Sequence, residues 1–246
     1  MAEIAIIGGT GLTSLHNLKI LRREVVHTPY GEPSGPLVYG SLADKQVVFL
    51  PRHGPGHTIP PHKINYRANV YALKEVGVKK VIAVAAVGGI HADLTPGRLV
   101  VPDQIIDYTW GRGTTFFEDS LKQVVHIDFT TPYCEELRQV LLQASGQLGL
   151  NTAPRGIYAA TQGPRLETAA EINRLERDGC DIVGMTGMPE AALARELALC
   201  YATCAVIANM GAGRGDQALT MEQIESNLKV GMEDVRHLLE MTIPLL

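Results

Sequence analysis

The chain contains no run of lysine and arginine, and among its 246 residues there are only one tryptophan and four phenylalanines. A protein that follows a nucleic-acid backbone needs a basic stripe, and one that binds single strands also needs aromatic side chains on which bases can stack. The formal net charge of −4 supplies no excess of positive charge. The composition therefore argues against a nucleic-acid partner.

Long apolar runs are also missing. Those present are short and interrupted by glycine or by charged residues, far below the ~20 residues that a membrane span needs. The chain begins MAEIAIIGGTG, which enters a strand pattern directly, without the basic region and long apolar core of a signal peptide. We therefore expect a cytoplasmic protein that binds no membrane.

Cysteines are few, and none are spaced as C-x-x-C: Cys134, Cys180, Cys200 and Cys204. Two of them, Cys200 and Cys204, lie in the apolar run LCYATCAVIANM. Buried thiols of a cytoplasmic protein are usually reduced. We expect buried reduced thiols rather than a disulfide.

Short apolar runs that end at glycine, proline or a polar residue predict seven strands: EIAIIGG, KQVVFLPRHG, KKVIAVAAVGG, RLVVPDQIID, RGIYAAT, DIVGMTG and CYATCAVIANM. Apolar residues at helical spacing predict amphipathic helices over Asn65 to Glu75, Glu135 to Leu148, Thr168 to Arg177, Pro189 to Glu196 and Thr220 to Leu239. Strands alternating with helices indicate an α/β fold with a largely parallel or mixed sheet. No shift in composition marks a boundary, so we expect one domain over residues 1–246.

The first glycine-rich turn, IIGGTG at Ile6 to Gly11, follows the first predicted strand. It lacks the G-x-G-x-x-G spacing, and no acidic residue stands about 20 positions later at the end of a second predicted strand to hold a ribose, so dinucleotide binding is disfavoured. Its backbone N–H groups and the hydroxyl of Thr10 could surround an anion. A plain tight turn is an equally good interpretation.

A second turn, PRHGPGHTIPPHK, gathers Arg52, His53, His57 and His62. Three histidines raise the possibility of a metal site, but no cysteine or carboxylate is near, and the segment is too rich in glycine and proline to place H-x-x-x-H on a helix, so we expect no metal. An arginine beside a histidine at a strand end suits a tetrahedral oxyanion, because a guanidinium can donate two parallel hydrogen bonds. A solvated polar loop remains an alternative.

Two polar residues near strand ends are candidates for binding a ring system. Glu167 stands just before a predicted capping box formed by Thr168 and Glu171, and could simply complement the helix dipole. Asn209 ends the last apolar strand, where asparagine is usually a turn former, but it also offers a donor and an acceptor together.

The turn GMTGMP carries Met185 and Thr186 between a strand and a helix and has no charged residue before Glu190. A lone methionine in such a turn usually fills a gap in the core. In open α/β sheets, however, ligands bind at the carboxyl ends of the strands, which is where this turn and the others are predicted to lie. The sequence therefore predicts a ligand site spread over several turns.

Five of these motifs, in the order IIGGTGL, RHG followed by H, NYRAN, GPRLETAAE and GMTGMPEA, resemble the trimeric purine nucleoside phosphorylase and methylthioadenosine phosphorylase family. The resemblance covers Ile4 to Leu239. It implies a single α/β domain around a mixed, partly barrel-like sheet flanked by helices. It also implies phosphorolysis, in which inorganic phosphate attacks the ribosyl C1′ and a purine leaves, with no metal or organic cofactor.

By this resemblance, the phosphate site comprises hydroxyl, cationic and backbone donors: Thr10, Arg52, His53, Ala85, Ala86 and Thr186. Such donors can hold a dianion in line with C1′. Methylthioadenosine enzymes have a hydroxyl residue at the position of Ala85. Backbone N–H groups must therefore replace that donor here.

The resemblance also assigns the nucleoside site. Met185 lies against the ribose, and the base is read by Glu167 and Asn209, with Leu166 beside them; Asn209 and His53 are the expected catalytic residues. Glu at position 167 and Asn at position 209 are typical of the family members that act on 6-oxopurines. A carboxylate can accept a hydrogen bond from N1–H of hypoxanthine, whereas N1 of adenine carries a lone pair and no proton.

At the 5′ end the resemblance points to a different relative. Met221 replaces a histidine that binds the 5′-hydroxyl in nucleoside phosphorylases, and its apolar side chain favours a methylthio group. His126 matches a residue that reaches into the neighbouring subunit's 5′ pocket, which implies a homotrimer. Together the two subsites specify S-methyl-5′-thioinosine as the substrate, in purine salvage.

Three alternatives stay open at this point. The chain could act on methylthioadenosine, or on 6-oxopurine nucleosides more broadly, if the assignments of Asn209 and Met221 are misplaced. It could also be a nucleotide-binding or regulatory module without turnover. Nothing in the sequence favours that last interpretation, because the phosphate residues are nearly complete.

Overall fold

The computed structural model describes residues 2–12, 15, 17–119, 121–215 and 221–246, and only the backbone at 221, 223 and 225. In these ranges the strands are β1 (Ile4–Gly8), β2 (Lys19–Glu24), β3 (Leu37–Leu42), β4 (Lys45–Pro51), β5 (Lys80–Gly89), β6 (Leu99–Val100), β7 (Gln104–Asp107), β8 (Thr152–Ala153), β9 (Ile157–Ala160), β10 (Ile182–Gly184) and β11 (Cys200–Met210). The α-helices are α1 (Tyr66–Glu75), α2 (Glu135–Leu148), α3 (Ala169–Arg177), α4 (Gly187–Glu196) and α5 (Met221–Thr242).

All five predicted helices are present, and the predicted α/β class is confirmed. The capping box predicted for α3 is formed: Glu171 N–H donates to the Thr168 hydroxyl, and Thr168 N–H donates to the Glu171 carboxylate. Asn65 caps α1 in the same way, by accepting from the backbone N–H of Ala68 at 3.1 Å. These side chains satisfy N–H groups that a helix start leaves without partners.

The strand predictions were less complete. The run RLVVPDQIID forms two strands, β6 and β7, because the proline between them interrupts the ladder. Strands β2, β3 and β8 were not predicted. Between β3 and β4 the two-residue loop consists of Ala43 and Asp44, both at positive φ, so the glycine or asparagine that usually marks such a hairpin is absent.

The eleven strands form one mixed sheet in which β5 is the branching strand. On one edge β5 pairs in parallel with β11 along its whole length. On the other edge it pairs with β1 as far as Ala83, and then with the antiparallel β10 from Gly88 onward. A gap from Val84 to Val87 therefore separates β1 from β10 along this edge of β5.

Hydrophobic side chains fill both faces of this sheet. In β1, Ile4 and Ile6 pack with α2 and α5, whereas Ala5 and Ile7 pack with α1 and α4. A strand buried on both faces is apolar throughout, which is why β1 and β5 read as continuous hydrophobic runs. Helices thus cover both faces and leave the strand ends open.

The expectation that all four cysteines are reduced is wrong for two of them. Cys134 and Cys200 form a disulfide, and only Cys180 and Cys204 are free. Cys134 precedes α2 and Cys200 begins β11, and the backbone N–H of Cys134 donates to the carbonyl of Tyr201 at 2.8 Å. This contact brings together two cysteines that are far apart in sequence, so no local spacing could indicate the bond.

Within the described ranges, no helix combines the length and the apolar content that crossing a bilayer demands.

Candidate active site

A cleft of about 250 Å³ opens at the carboxyl ends of the strands, beside the gap in β5. Ten of the twelve residues selected from the sequence line it: Thr10, Arg52, His53, Ala85, Ala86, Leu166, Glu167, Met185, Thr186 and Asn209. Of the two others, His126 is not among its lining residues, and the side chain of Met221 lies outside the described part of the chain. The structure also adds lining residues that sequence reasoning missed, including Gly9, Pro61, Ile224 and Leu228.

The gap in β5 exposes backbone groups to the cleft. The carbonyl of Val84 faces the gap, because Nη1 of Arg52 donates to it at 2.8 Å. Backbone groups of alternate residues in a strand face the same edge, so the N–H of Ala86 faces the gap as well. A backbone donor is thus available beside Ala85, where the side chain supplies none.

Gly9 lets the turn after β1 approach this gap closely. A Cβ at this position would lie 2.5 Å from the carbonyl oxygen of Val84 and 2.9 Å from Nη1 of Arg52. Both distances are shorter than any tolerated carbon contact, so only glycine fits. The glycine in IIGGTG therefore serves close packing against Arg52 and β5, with Thr10 following at the cleft wall.

Arg52 follows β4 and is buried, with 1% of its surface exposed. Its Nε and Nη2 donate to the two carboxylate oxygens of Glu190 at 2.7 and 2.8 Å. Burial disfavours the charged guanidinium, but the carboxylate of Glu190 outweighs this and holds the pKa of Arg52 above its ordinary value. The sequence predicted that the guanidinium of Arg52 binds an anion with two parallel hydrogen bonds. In the structure the edge formed by Nε and Nη2 is already bonded to Glu190.

His53 is fixed by a hydrogen bond between its Nδ1 and the carbonyl of Ile59 at 2.9 Å. Since a carbonyl only accepts, Nδ1 carries the proton and Nε2 is left with a lone pair. Burial, and next the positive charge of Arg52, lower the pKa of His53 to about 4. His53 is therefore neutral at pH 7 and can accept a proton or hydrogen bond through Nε2.

Arg112 holds together two turns that form the cleft, a role that no local sequence pattern indicates. Its Nη1 donates to the carbonyls of Met185 and Met188, at 2.8 and 2.6 Å. Its Nη2 donates to the carbonyls of Thr161 and Gln162, at 3.3 and 2.9 Å. One guanidinium thus sets the distance between the turn after β9 and the turn after β10.

Glu167 lies in the turn between β9 and α3 and is half-buried. Its carboxylate accepts a hydrogen bond from the Thr161 hydroxyl at 2.7 Å. Glu167 lies outside the capping box, as predicted, so capping does not occupy its carboxylate. The second oxygen, Oε2, has no protein hydrogen bond within the described chain and can serve a ligand.

Asn209 is placed by an irregularity in β11. Ile207 lies opposite Val87 and Asn209 opposite Gly88, so Ala208 is an extra residue that bulges from the ladder. A bulge reorients the side chains next to it and is common beside active sites. The Asn209 amide nitrogen donates to the carbonyl of Met210 at 2.8 Å, which holds the side chain at the cleft wall.

The described side chains that α5 contributes to the cleft are apolar. Ile224 and Leu228 line it and are 9% and 4% exposed. The side chain of Met221, one turn earlier in α5, lies outside the described part of the chain. His126 is exposed in this single chain and does not reach its own cleft.

No metal centre is apparent among the described residues, where no three histidine, cysteine or carboxylate side chains come together. The rings of His53 and His57 are 4.6 Å apart, but no carboxylate or thiol joins them. Apart from Arg52, the cleft therefore presents neutral donors, one carboxylate and apolar surface. Such a set can hold an oxyanion next to a neutral heterocyclic ligand.

The comparisons with known proteins agree with this geometry. Residues 3–244 match the family model of the phosphorylase superfamily. The chain is 55% identical to a probable S-methyl-5′-thioinosine phosphorylase of Pseudomonas syringae pv. tomato, covering 96% of each chain. It is 47% identical to the 6-oxopurine nucleoside phosphorylase of Pyrococcus furiosus, covering 100% of this chain and 94% of that one.

Among solved structures, the methylthioadenosine phosphorylase of Schistosoma mansoni in complex with adenine superimposes with a TM-score of 0.94. That protein is 35% identical in sequence, and the match covers 100% of this chain and 92% of the other. Both the family model and the relatives extend over nearly the whole chain. The chain therefore belongs to the phosphorylase superfamily and is a nucleoside phosphorylase of the purine type.

Proposed function

We propose that this enzyme catalyses phosphorolysis of S-methyl-5′-thioinosine to hypoxanthine and 5-methylthioribose 1-phosphate, in purine salvage. The observation that carries the proposal is a single cleft that combines two unlike sets of side chains. The carboxylate of Glu167 and the amide of Asn209 line it together with the apolar side chains of Ile224 and Leu228. The polar pair suits the base of a 6-oxopurine nucleoside, and the apolar pair suits a methylthio group on its 5′ carbon.

At the base end, Glu167 accepts from N1–H and Asn209 bonds O6 and N7. Adenine has no proton on N1, so its lone pair would face the Glu167 carboxylate directly. A buried polar group that loses its partner discriminates strongly between substrates. The hydrogen bond from Thr161 supports this role, because it keeps the carboxylate at the cleft wall.

At the 5′ end, a methylthio group gains from apolar contacts that a hydroxyl cannot use. Ile224 and Leu228 offer no hydrogen-bond partner, so a 5′-hydroxyl placed there would lose its contact with water. The sequence assigned this selectivity to Met221 and His126. Ile224 and Leu228 support the same selectivity from described side chains.

The reaction needs no metal or organic cofactor, with inorganic phosphate as co-substrate. A phosphate oxygen forms a bond to C1′ as the bond from C1′ to purine N9 breaks, through an oxocarbenium-like state. Thr10, the Ala86 N–H, Thr186 and the outer donors of Arg52 hold the phosphate, and neutral His53 accepts from its P–OH. The electron pair of the broken bond passes to the purine, where Asn209 stabilises the charge at N7. The purine takes up a proton, balanced by the one that phosphate loses, and leaves as neutral hypoxanthine.

The relatives support this choice and its alternatives. The Pseudomonas syringae protein carries the proposed activity in its name, and the Pyrococcus furiosus protein is named for 6-oxopurine nucleosides. A variant of the Schistosoma mansoni enzyme is solved with methylthioadenosine. Methylthioadenosine and unmodified 6-oxopurine nucleosides are therefore the alternative substrates.

We further propose that the enzyme is a homotrimer in the cytoplasm, with His126 completing a neighbour's 5′ pocket. Apolar side chains are exposed in the segment that carries His126, with Trp110 and Val124 about 70% exposed. Large apolar side chains exposed in one segment fit a surface that a second copy covers. Light scattering tests the trimer, and a fully active monomer would contradict it.

The decisive experiment compares methylthioinosine, methylthioadenosine and inosine under identical conditions, with and without phosphate. We expect kcat/KM for methylthioinosine to exceed that for each of the other two by at least about tenfold, which corresponds to ~1.4 kcal/mol. No base should be released without phosphate. Equal rates with methylthioadenosine would refute the base assignment, and equal rates with inosine would refute the 5′ assignment.

A further inference from the structure

Glu190, the bidentate partner of Arg52, is a fully buried carboxylate that takes no direct part in binding the substrates. It lies in α4, four residues after Thr186, and its side chain is fully buried. It does not line the cleft, so it cannot touch the phosphate or the nucleoside. A buried carboxylate is costly unless its charge and its lone pairs find partners.

Its partners are two side chains. Arg52 donates to both of its oxygens, and the hydroxyl of Tyr201 donates to Oε1 at 2.8 Å. The contact with Arg52 is planar and bidentate, the geometry in which a carboxylate fixes a guanidinium in both direction and rotation. The contact with Tyr201 satisfies a further lone pair of Oε1, whereas the two bonds from Arg52 fix the carboxylate and the guanidinium against each other.

This arrangement decides which donors of Arg52 remain for a ligand. A guanidinium has five N–H groups. Three of them are used: Nε and Nη2 each donate one bond to Glu190, and Nη1 donates one to the carbonyl of Val84. Within the described chain, one N–H on each Nη remains, and Arg52 lines the cleft.

We propose that Glu190 is a positioning residue for phosphate, acting through Arg52. This proposal rests on the proposed function, in which Arg52 binds phosphate. Glu190 holds the guanidinium so that its two outer N–H groups meet the anion without reorganisation. The carboxylate of Glu190 also neutralises the buried positive charge of Arg52. Arg52 then recognises phosphate through directed hydrogen bonds, together with the neutral donors of the cleft.

Two substitutions separate positioning from simple structural support. Glu190→Gln keeps the shape but places an N–H group against Arg52, so the guanidinium loses its bidentate partner. We expect the KM for phosphate to rise at least about tenfold, while the KM for the nucleoside changes less than twofold. Tyr201→Phe is the matched control: it removes a hydrogen bond from Glu190 without touching Arg52, and should leave the phosphate KM within about twofold.

A double-variant cycle shows whether the effect passes through Arg52. Arg52→Lys cannot make the bidentate contact, so adding Glu190→Gln to it should raise the phosphate KM by less than about threefold more. Independent, multiplicative effects would overturn the proposal. So would a folded Glu190→Gln enzyme with the wild-type phosphate KM.

Binding without turnover provides a second readout. Phosphate that binds the native state raises Tm by mass action. We expect the phosphate-induced rise in Tm of wild type to be lost in Glu190→Gln and largely retained in Tyr201→Phe. If Glu190→Gln fails to fold, Glu190→Asp is measured instead; its shorter side chain retracts the guanidinium, and an unchanged phosphate response would overturn the proposal.

Different results would contradict the proposed function and the role of Glu190. A wild-type enzyme whose base release is independent of phosphate contradicts the proposed function itself. A wild-type enzyme that depends on phosphate and on Arg52, combined with an unchanged phosphate KM in Glu190→Gln, contradicts only the role of Glu190.

Discussion

Thr161 and Glu167, six residues apart on either side of a turn, are joined by a 2.7 Å hydrogen bond that fixes the carboxylate at the wall of the cleft. Thr161→Val removes the hydroxyl and keeps the shape of the side chain. Because a hydrogen bond to a charged group contributes about 1.5–3 kcal/mol, we expect kcat/KM for methylthioinosine to fall about tenfold or more. Thr161→Ser keeps the donor and should remain near wild type; equal losses in both variants would contradict this role.

The base preference should change when both reading residues are exchanged. Glu167→Ser with Asn209→Asp places a hydroxyl opposite the adenine N1 lone pair and a carboxylate near N7 and the 6-amino group. We expect the ratio of kcat/KM values for methylthioinosine and methylthioadenosine to narrow or invert. Preference for methylthio over hydroxyl at the 5′ end should persist. A base preference that does not move would show that these residues do not read the base.

Arg112 joins two turns through four carbonyl groups, and lysine cannot reproduce these contacts because it lacks the planar fork. We expect Arg112→Lys to lower kcat/KM about a hundredfold, since displacing a positioning element by ~1 Å costs about that much. Arg174→Lys, an exposed position on α3, is the matched control and should leave kinetics unchanged. Wild-type kinetics in Arg112→Lys would show that the two turns keep their positions without it.

Stability in acid should depend on His53. Its pKa in the native state is about 4, whereas an unfolded histidine has a pKa near ~6.5. Between these values the unfolded state binds the proton and the native state does not, so the free energy of unfolding falls as pH drops. The loss reaches about 3 kcal/mol at pH 4. Urea unfolding without phosphate should show a flatter pH dependence for His53→Gln, and no such change for His237→Gln on the surface of α5.

The disulfide closes a loop between positions 66 residues apart. In the chain-entropy model a loop of this length stabilises the native state by about 4 kcal/mol. Denatured, unreduced protein should show two titratable thiols, from Cys180 and Cys204, and reduction should release two more and lower Tm. Cys134→Ser should lose this response to reductant. Four thiols before reduction would show that Cys134 and Cys200 are not bonded.

Sequence reasoning located the cleft because strand ends, glycine turns and polar residues are local signals. It could not find Glu190 or Arg112, because the partners that give them a role are more than a hundred residues away or are backbone carbonyls. Nor could it find the bulge at Ala208, which appears only in the register between β11 and β5. The helices were predicted well because their periodicity and capping residues lie within the helix itself.

The pairing of β5 with β11 also determines when the cleft can form during synthesis. Residues 80 and 200 lie opposite each other, so the edge of β5 stays unpaired while the intervening chain is made. At about 5–20 residues per second, the ribosome takes on the order of 10 s to supply that partner. Throughout that interval the nascent chain carries an apolar strand with an unpaired edge, which is the kind of surface that chaperones bind. A fragment released before β11 is made lacks Asn209, and the wall of its cleft around Ala86 is incomplete.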